Sequence, residues 1–412
     1  MHENENLIQL LTIYNTSQGG RQMEKLVQQT LEQLFDEMVA VRRHLHMYPE
    51  LSHQEVETPA YIASQLEALG MEVKRGVGGR GVVGTIRGGK PGKTIAFRAD
   101  FDALPIQDVK NVPYKSTVSG VMHACGHDGH TSALLAFAKA MMEVKEELSG
   151  NIVLIHQFGE ELSPGGARAM IEDGCLECVD LVYGAHLQSK MESGKIYVRD
   201  GFLQASEDTV KIVVRGSGTH GAEPHNGVDP ILAASHIMVA LQTIVSRNAD
   251  PLKELVVSIG KFHAGDADNV IPSEAVLEGT IRVFDPELRK LASRRIREIA
   301  ENVAIGLGAK ATVTIDNGYD ALWNHPEAMD TVRLAGHELY GTDAVVETPP
   351  VMPVEDFSYY TQVVPGAYFF VGAKLQEESL VFPHHHEQFD FDETAMLVTA
   401  KLFAAIYFKA QQ

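Results

Sequence analysis

The 412-residue sequence predicts an α/β protein: a large α/β domain carrying an inserted small α+β domain. Three observations predict the layered architecture. Helical and strand patterns alternate along most of the chain, as packed α/β layers require. Several short strands are apolar almost throughout, such as TIAFRAD (94–100), NIVLIHQF (151–158) and GAYFFVGA (366–373), the texture of buried strands. From residue 207 the texture changes, and DTVKIVVRG alternates with Val210, Ile212 and Val214 on one face.

In chain order, residues 1–22 carry little pattern and are expected to form an accessory extension. Residues 24–45 place Leu26, Leu31, Leu34, Met38 and Val41 at helical spacing, and Pro49 stops that helix. TPAYIASQLEALG (58–70) reads as an amphipathic helix ending at Gly70. VVGTIRGGKPGKTIAFRAD (82–100) reads as a hairpin around a Gly/Pro/Lys turn. SALLAFAKAMMEVKEEL (132–148) is a helix, NIVLIHQF a strand ending in Glu160-Glu161, and LVYGAHL (181–187) a strand closing on His186. The region 207–317 then gives strand, helix, strand, strand, helix, strand. That order matches the split-βαβ sandwich, with two helices on one face of a four-stranded antiparallel sheet. The expected division is therefore an extension (1–22), a first part of the large domain (23–206), an inserted small domain (207–317) and a second part of the large domain (318–412).

Bulk properties exclude several classes. With 35 Lys and Arg against 55 Asp and Glu, the net charge is −20, which repels nucleic acid and anionic membrane surfaces. Three cysteines leave one unpaired in any disulfide scheme, which fits a reducing cytosol. The N-terminus lacks the basic and apolar regions of a signal peptide, and no apolar run suggests a membrane span. There is no G-x-S-x-G elbow, GVGGRG (76–81) lacks a following Lys-Ser/Thr, and Cys175-x-x-Cys178 has no second ligand pair.

The chemistry concentrates elsewhere. VMHACGHDGHTSALL (121–135) packs His123, Cys125, His127, Asp128 and His130 at a helix entrance. The C-x-H spacing lets Cys125 and His127 reach one centre from a tight glycine turn. Glu160 and Glu161 repel one another at a strand end unless a cation is present, so a metal-binding carboxylate beside a general base explains the pair. His186 ends another strand, and the triplet His384–His386 precedes a helix.

In order along residues 35–405, RRHLHMYPELSHQE, FRADFDALPI, MHACGHDGHTSALL, GEE with GGARAMIEDG, GAHL, GTHGAEPHNGVDPI, ADNVIP, GTIRVF, EDFSYY and HHHEQFDFDE resemble the aminoacylase/hippurate hydrolase family of two-metal amidohydrolases, relatives of auxin-conjugate hydrolases. The resemblance implies that the large domain is a zinc-peptidase-like catalytic domain and that the insert serves as a lid or dimerisation domain. It also implies that Cys125, His127, Glu161, His186 and His385 hold two divalent ions (Zn, Mn, Co or Ni). Glu160 would be the general base acting on a metal-bridging water. His220 or His225 would help hold the oxyanion, reaching into a partner subunit of a homodimer or higher homo-oligomer. Asn269 and Arg282 would grip the substrate carboxylate, and Asp100 and Asp102 would orient ligands from behind. The implied activity is a cytosolic cleavage of N-acyl amino acids. A dipeptidase or carboxypeptidase using the same site is the alternative, and a metal- or ligand-binding relative without turnover is another. Pro353-Val354 and Glu387-Gln388 depart from the family's usual glycine pair and proline.

Overall fold

The computed structural model describes residues 20–412. The extension expected over 1–22 lies outside the described residues except for 20–22, which are already helical. The chain forms two compact units. The larger takes the chain up to Gly201, Trp323–Pro349 and Tyr359–Gln412; the smaller takes Phe202–Leu322 and Pro350–Ser358.

The larger unit is built on an eight-stranded mixed sheet. Its order is Glu72–Val77, Gly81–Arg87, Ser149–Gln157, Lys90–Asp100, Leu181–Gln188, Gly366–Gly372, Ile196–Val198 and Val345–Glu347. The four central strands, Ser149–Gln157 through Gly366–Gly372, run parallel. Their apolar sequences follow from this, because central parallel strands are covered on both faces. Phe97 on the Lys90–Asp100 strand stacks edge-on against Phe137 of the helix His127–Met142 (centroids 4.8 Å apart) and lies 5.0 Å from Phe403 of the helix Thr394–Ala410. Burying such aromatic groups, with the aliphatic side chains around them, helps drive the layers together.

The expected hairpin does not form. Gly81–Arg87 and Lys90–Asp100 are separated by Ser149–Gln157, antiparallel to the first and parallel to the second. The glycines read as a turn instead let the connection slip past the entrance of that intervening strand. Gly88 N donates to Gly150 O and Lys90 N to Leu148 O (both 3.0 Å). A Cβ on Gly88 would lie 2.3 Å from Gly150 O, and one on Gly89 2.1 Å from Glu146 O. The helix expected over 24–45 is interrupted once, at Leu34, giving helical residues 20–33 and the helix Phe35–Met47.

The smaller unit is a four-stranded antiparallel sheet in the order Leu255–Ala264, Glu274–Val283, Ser206–Arg215, Lys310–Asn317. Val210, Ile212 and Val214 enter its core with Ala233, Ile237 and Leu241 of the helix Pro230–Thr243 and Leu288, Ala292, Ile296 and Ala300 of the helix Pro286–Gly306. Asp229 and Asp285 cap these two helices, each side chain accepting from two backbone N–H groups ahead of an N-terminal proline. By length and composition Pro230–Asn248 would suffice to cross a membrane, contrary to the sequence reading, but its apolar buried face packs in this core.

Candidate metal centre

The site of the larger unit gathers at the carboxyl ends of its parallel strands, where α/β sheets present ligands. Asp100 ends one strand and Asp102 follows it; Glu160 and Glu161 follow the next; His186 lies near the end of a third. Gly126 turns the chain into the helix His127–Met142 with φ +95°, a conformation glycine adopts without strain, and this puts Cys125 and His127 on either side of the turn. His385 also has positive φ, +63°, and its N–H donates to Ala124 O (2.8 Å), tying its loop to the Cys125 turn.

These groups converge. Cys125, His127 and His186 place ligand atoms within 4.8 Å of one another, as do Cys125, Glu161 and His385, and His127, Glu160 and Glu161. Cys125 Sγ lies 3.4 Å from His186 Nε2, and His385 Nε2 3.2 Å from Glu161 Oε1.

The histidine rings are held so that one nitrogen faces this centre. His186 Nδ1 donates to Leu187 O (2.8 Å), leaving Nε2 toward Cys125. His127 Nδ1 donates to Asp102, 3.1 Å from both its backbone O and Oδ1, leaving Nε2 buried without a hydrogen-bond partner among the described residues. A buried imidazole nitrogen beside a thiol and two carboxylates suits a divalent cation, and the outward hydrogen bonds favour the tautomer that a ligand needs. His130 differs. Its Nδ1 donates to Asp100 Oδ1 (2.7 Å) and its Nε2 accepts from Leu187 N (3.0 Å), so both nitrogens are used and the residue braces the site.

Asp102 is the hub of this bracing. Its Oδ2 accepts from Ser52 Oγ (2.7 Å) and from Glu161 N (3.0 Å), while Oδ1 faces His127. Asp100 Oδ2 accepts from Arg98 Nη1 (2.6 Å).

Burial and the carboxylates set the electrostatics of the site. Burial and the Glu161, Glu160 and Asp100 carboxylates push the Cys125 thiol well above its ordinary range. Burial alone would lower His127, but Asp100, Asp102 and Glu161 outweigh it and push the ring up to about 10. Burial, with His130 and His384 adding to it, drives His186 well below the ordinary value. A bound cation would reverse the first effect and favour a thiolate.

The residues expected in substrate handling belong to the smaller unit. His220 pairs with Val270 in a two-stranded ladder, and Gly221 N donates to Asn269 O (2.7 Å), so His220 and Asn269 share one corner. His220, His225 and Asn269 are exposed. Arg282 is half-buried, with Nη2 donating to Glu207 Oε1 (2.8 Å) and Nη1 to Thr280 and Ile281 O.

Sequence reasoning missed a charged support behind the centre. Arg42 is fully buried and reaches Asp128 (Nε, 2.9 Å), Asp390 (Nη2, 2.8 Å) and Glu393 (Nη1, 3.2 Å). It thereby ties the entrance of the His127 helix to the segment that follows His385. His46 Nδ1 joins Asp128 Oδ2 at 2.7 Å, and buried Lys110 donates to Phe389 O (2.8 Å). The only signal was the density of charge in RRHLH, which reads equally as a solvated helix face.

A fold of this type with a Cys/His/Glu donor cluster at its strand ends defines a hydrolase of the metallopeptidase class. Residues 96–409 match the model of peptidase family M20/M25/M40, and the chain belongs to that family. YhaA of Bacillus subtilis (strain 168), named as an amidohydrolase, is 47% identical over 382 residues, 93% of this chain and 96% of that one. Thermostable carboxypeptidase 2 of Saccharolobus solfataricus is 41% identical over 390 residues, 94% and 98% of the two chains. N-acetyl-L-cysteine deacetylase of Bacillus subtilis (strain 168) is 40% identical over 367 residues, 89% and 86%. Among solved structures, the Bacillus subtilis YXEP protein, titled a dinuclear metal binding peptidase of the M20 family, matches with a TM-score of 0.80 and 34% identity, over 92% of this chain and 99% of that one. The expected likeness to aminoacylase-type hydrolases therefore holds, and the chain is a hydrolytic enzyme.

Proposed function

We propose that this enzyme is a metal-dependent amidohydrolase that cleaves N-acyl amino acids to a carboxylate and a free amino acid. The observation that carries the reading is that Cys125 belongs to two donor groups, one with His127 and His186 and one with Glu161 and His385, while Glu160 stands beside His127. That arrangement suits two divalent ions sharing a boundary, and Cys, His and Glu donors accept Zn, Mn, Co or Ni. When bound, the ions would acidify a water and polarise the scissile carbonyl.

The chain's own groups supply the rest. Glu160, 7% exposed, accepts the proton of the attacking water and returns it to the leaving nitrogen. Asp102 keeps His127 in its Nδ1–H form, and Leu187 O does the same for His186. We assign the substrate carboxylate to Arg282 and Asn269, an Arg fork being suited to it, and the oxyanion to His220 or His225. The exposure of both histidines supports service to a partner subunit's site in a homodimer or larger oligomer. Three free cysteines support a cytosolic setting.

The relatives named as deacetylase, amidohydrolase and carboxypeptidase support amide hydrolysis and divide over the acyl side. The test is an assay of metal-loaded protein and Glu160→Ala on acetyl-, benzoyl- and longer acyl-amino acids and on simple dipeptides. Wild-type turnover of the acyl-amino acids that the variant lacks is the expected result. Turnover of dipeptides alone would move the enzyme to the peptidases, and equal turnover by both proteins would remove Glu160 as the general base.

A further inference from the structure

The two carboxylates of the site sit on one short turn, and that turn is gripped from outside by a segment with no role in the mechanism above. We propose that Glu55 and His53 are positioning residues for the hydrolysis: they clamp the 159–162 turn at both ends and so hold the Glu160 carboxylate in its working position. The inference rests on the reading of Glu160 as the base.

The clamp is physical. Ahead of Glu160, Gly159 N donates to Glu55 Oε1 (2.9 Å). Behind Glu161, His53 Nε2 donates to Leu162 O (2.9 Å). Between these points the turn is pressed onto the His53 ring. Gly159 has φ +66°, and a Cβ there would lie 2.7 Å from His53 Cε1, so only glycine lets the turn approach this closely. The ring also meets Phe158 edge-on with centroids 5.6 Å apart.

The gripping segment is itself anchored. Ala103 N donates to Glu50 O (2.8 Å), and the Glu50 carboxylate caps the helix Glu57–Ala68 through Val56 N and Thr58 N. Ser52 Oγ reaches Asp102. Arg80 Nη1 donates to Glu55 O, and its Nε lies 3.9 Å from Glu55 Oε2.

Two features are costly unless they serve something. Glu55 is a carboxyl only 1% exposed, and its Oε2 has no hydrogen-bond partner among the described residues. His53 holds φ +62°, which a residue with a side chain rarely adopts. Strain of this kind is kept where the surroundings impose it, commonly beside reacting groups.

The test compares Glu55→Ala and Glu55→Gln in the full chain, with Glu160→Ala as control. Glutamine keeps the Oε1 acceptor, so it should restore what alanine loses. We expect Glu55→Ala to lower kcat by about tenfold or more while KM and metal content stay within about twofold, since small misplacements of a reacting group cost that much. Glu55→Gln should keep kcat within about threefold. Amide exchange of the 158–162 peptide in metal-free protein should quicken by about tenfold in the alanine variant alone, because its Gly159 N–H has lost its acceptor. Unchanged kcat in Glu55→Ala, equal impairment in Glu55→Gln, or unaltered exchange overturns the proposal. Should Glu55→Ala not fold, His53→Ala carries the same kcat-against-KM test through the Leu162 contact. If Glu160→Ala retains full activity, the assignment of the base fails, and the exchange measurement still decides whether the clamp exists.

Discussion

Replacing Asp102 by asparagine tests how far the proposed metal centre depends on a residue outside its donor groups. Asp102 is 1% exposed and serves three donors: His127 Nδ1 on Oδ1, and Ser52 Oγ and Glu161 N on Oδ2. An asparagine has the same shape and one acceptor fewer. If its oxygen takes the Oδ2 place, its NH2 faces the His127 N–H, which keeps only the backbone O of residue 102 as acceptor and loses the charged partner that fixes its tautomer. If its oxygen takes the Oδ1 place, the NH2 opposes Glu161 N, and that backbone N–H is left unpaired. Either way one hydrogen bond to a charged group is lost, worth about 1.5–3 kcal/mol. At about 1.4 kcal/mol per tenfold, that is roughly 10- to 100-fold in metal affinity, the range found for supporting partners of metal-bound histidines. Competition of the loaded protein with a graded series of chelators reads the affinity directly, without substrate. Affinity within about twofold of wild type would refute the idea that Asp102 sets the His127 tautomer.

Cys125→Ala and His385→Ala should differ in kind. Cys125 belongs to both donor groups, so its loss should weaken both ions, whereas His385→Ala should leave one ion tightly held; metal analysis after graded dialysis separates the two patterns. His156 gives a stability prediction in acid. It is fully buried, and burial lowers its value from 6.5 to about 3. A ring that must stay neutral in the fold contributes stability fully above pH 6.5 and loses it as pH falls from 6.5 toward 3, by up to about 4–5 kcal/mol at about 1.4 kcal/mol per unit. His156→Leu should therefore unfold with a flatter pH dependence than wild type between pH 6.5 and 3, measured by denaturant titration; parallel curves would show that the ring is solvated.

The α/β class and the small sandwich were legible because burial is written into local sequence: an apolar run for a central strand, alternation for a half-solvated one. Strand partners are not written there. The residues 82–100 carry every local mark of a hairpin, yet the partner of both strands arrives about fifty residues later, at Ser149–Gln157. A glycine pair serves a tight turn and a close backbone crossing equally well, and only the third strand decides between them. The same limit hid Arg42. Its partners Asp128 and Asp390 lie 86 and 348 residues away, so nothing near it in sequence distinguishes a fully buried guanidinium from a solvated one.

The ligand-type residues were easier to find than the groups that aim them, and the Glu160-Glu161 pair shows why. Two adjacent carboxylates at a strand end announce a cation, because their repulsion needs one. Adjacency alone does not say which of them faces which donor. The turn separates them: Glu161 joins both the Cys125–His385 and the His127 groups, and Glu160 joins the His127 group. That split depends on a positive φ at Gly159, on Asp102 taking Glu161 N, and on a buried Glu55 taking Gly159 N. The last two are backbone contacts made by residues 59 and 104 positions away, and such contacts leave no trace in the identity of the residue that receives them. Residue types therefore disclose the chemistry of such a centre, while its geometry is stored in remote side chains whose own sequence context looks unremarked.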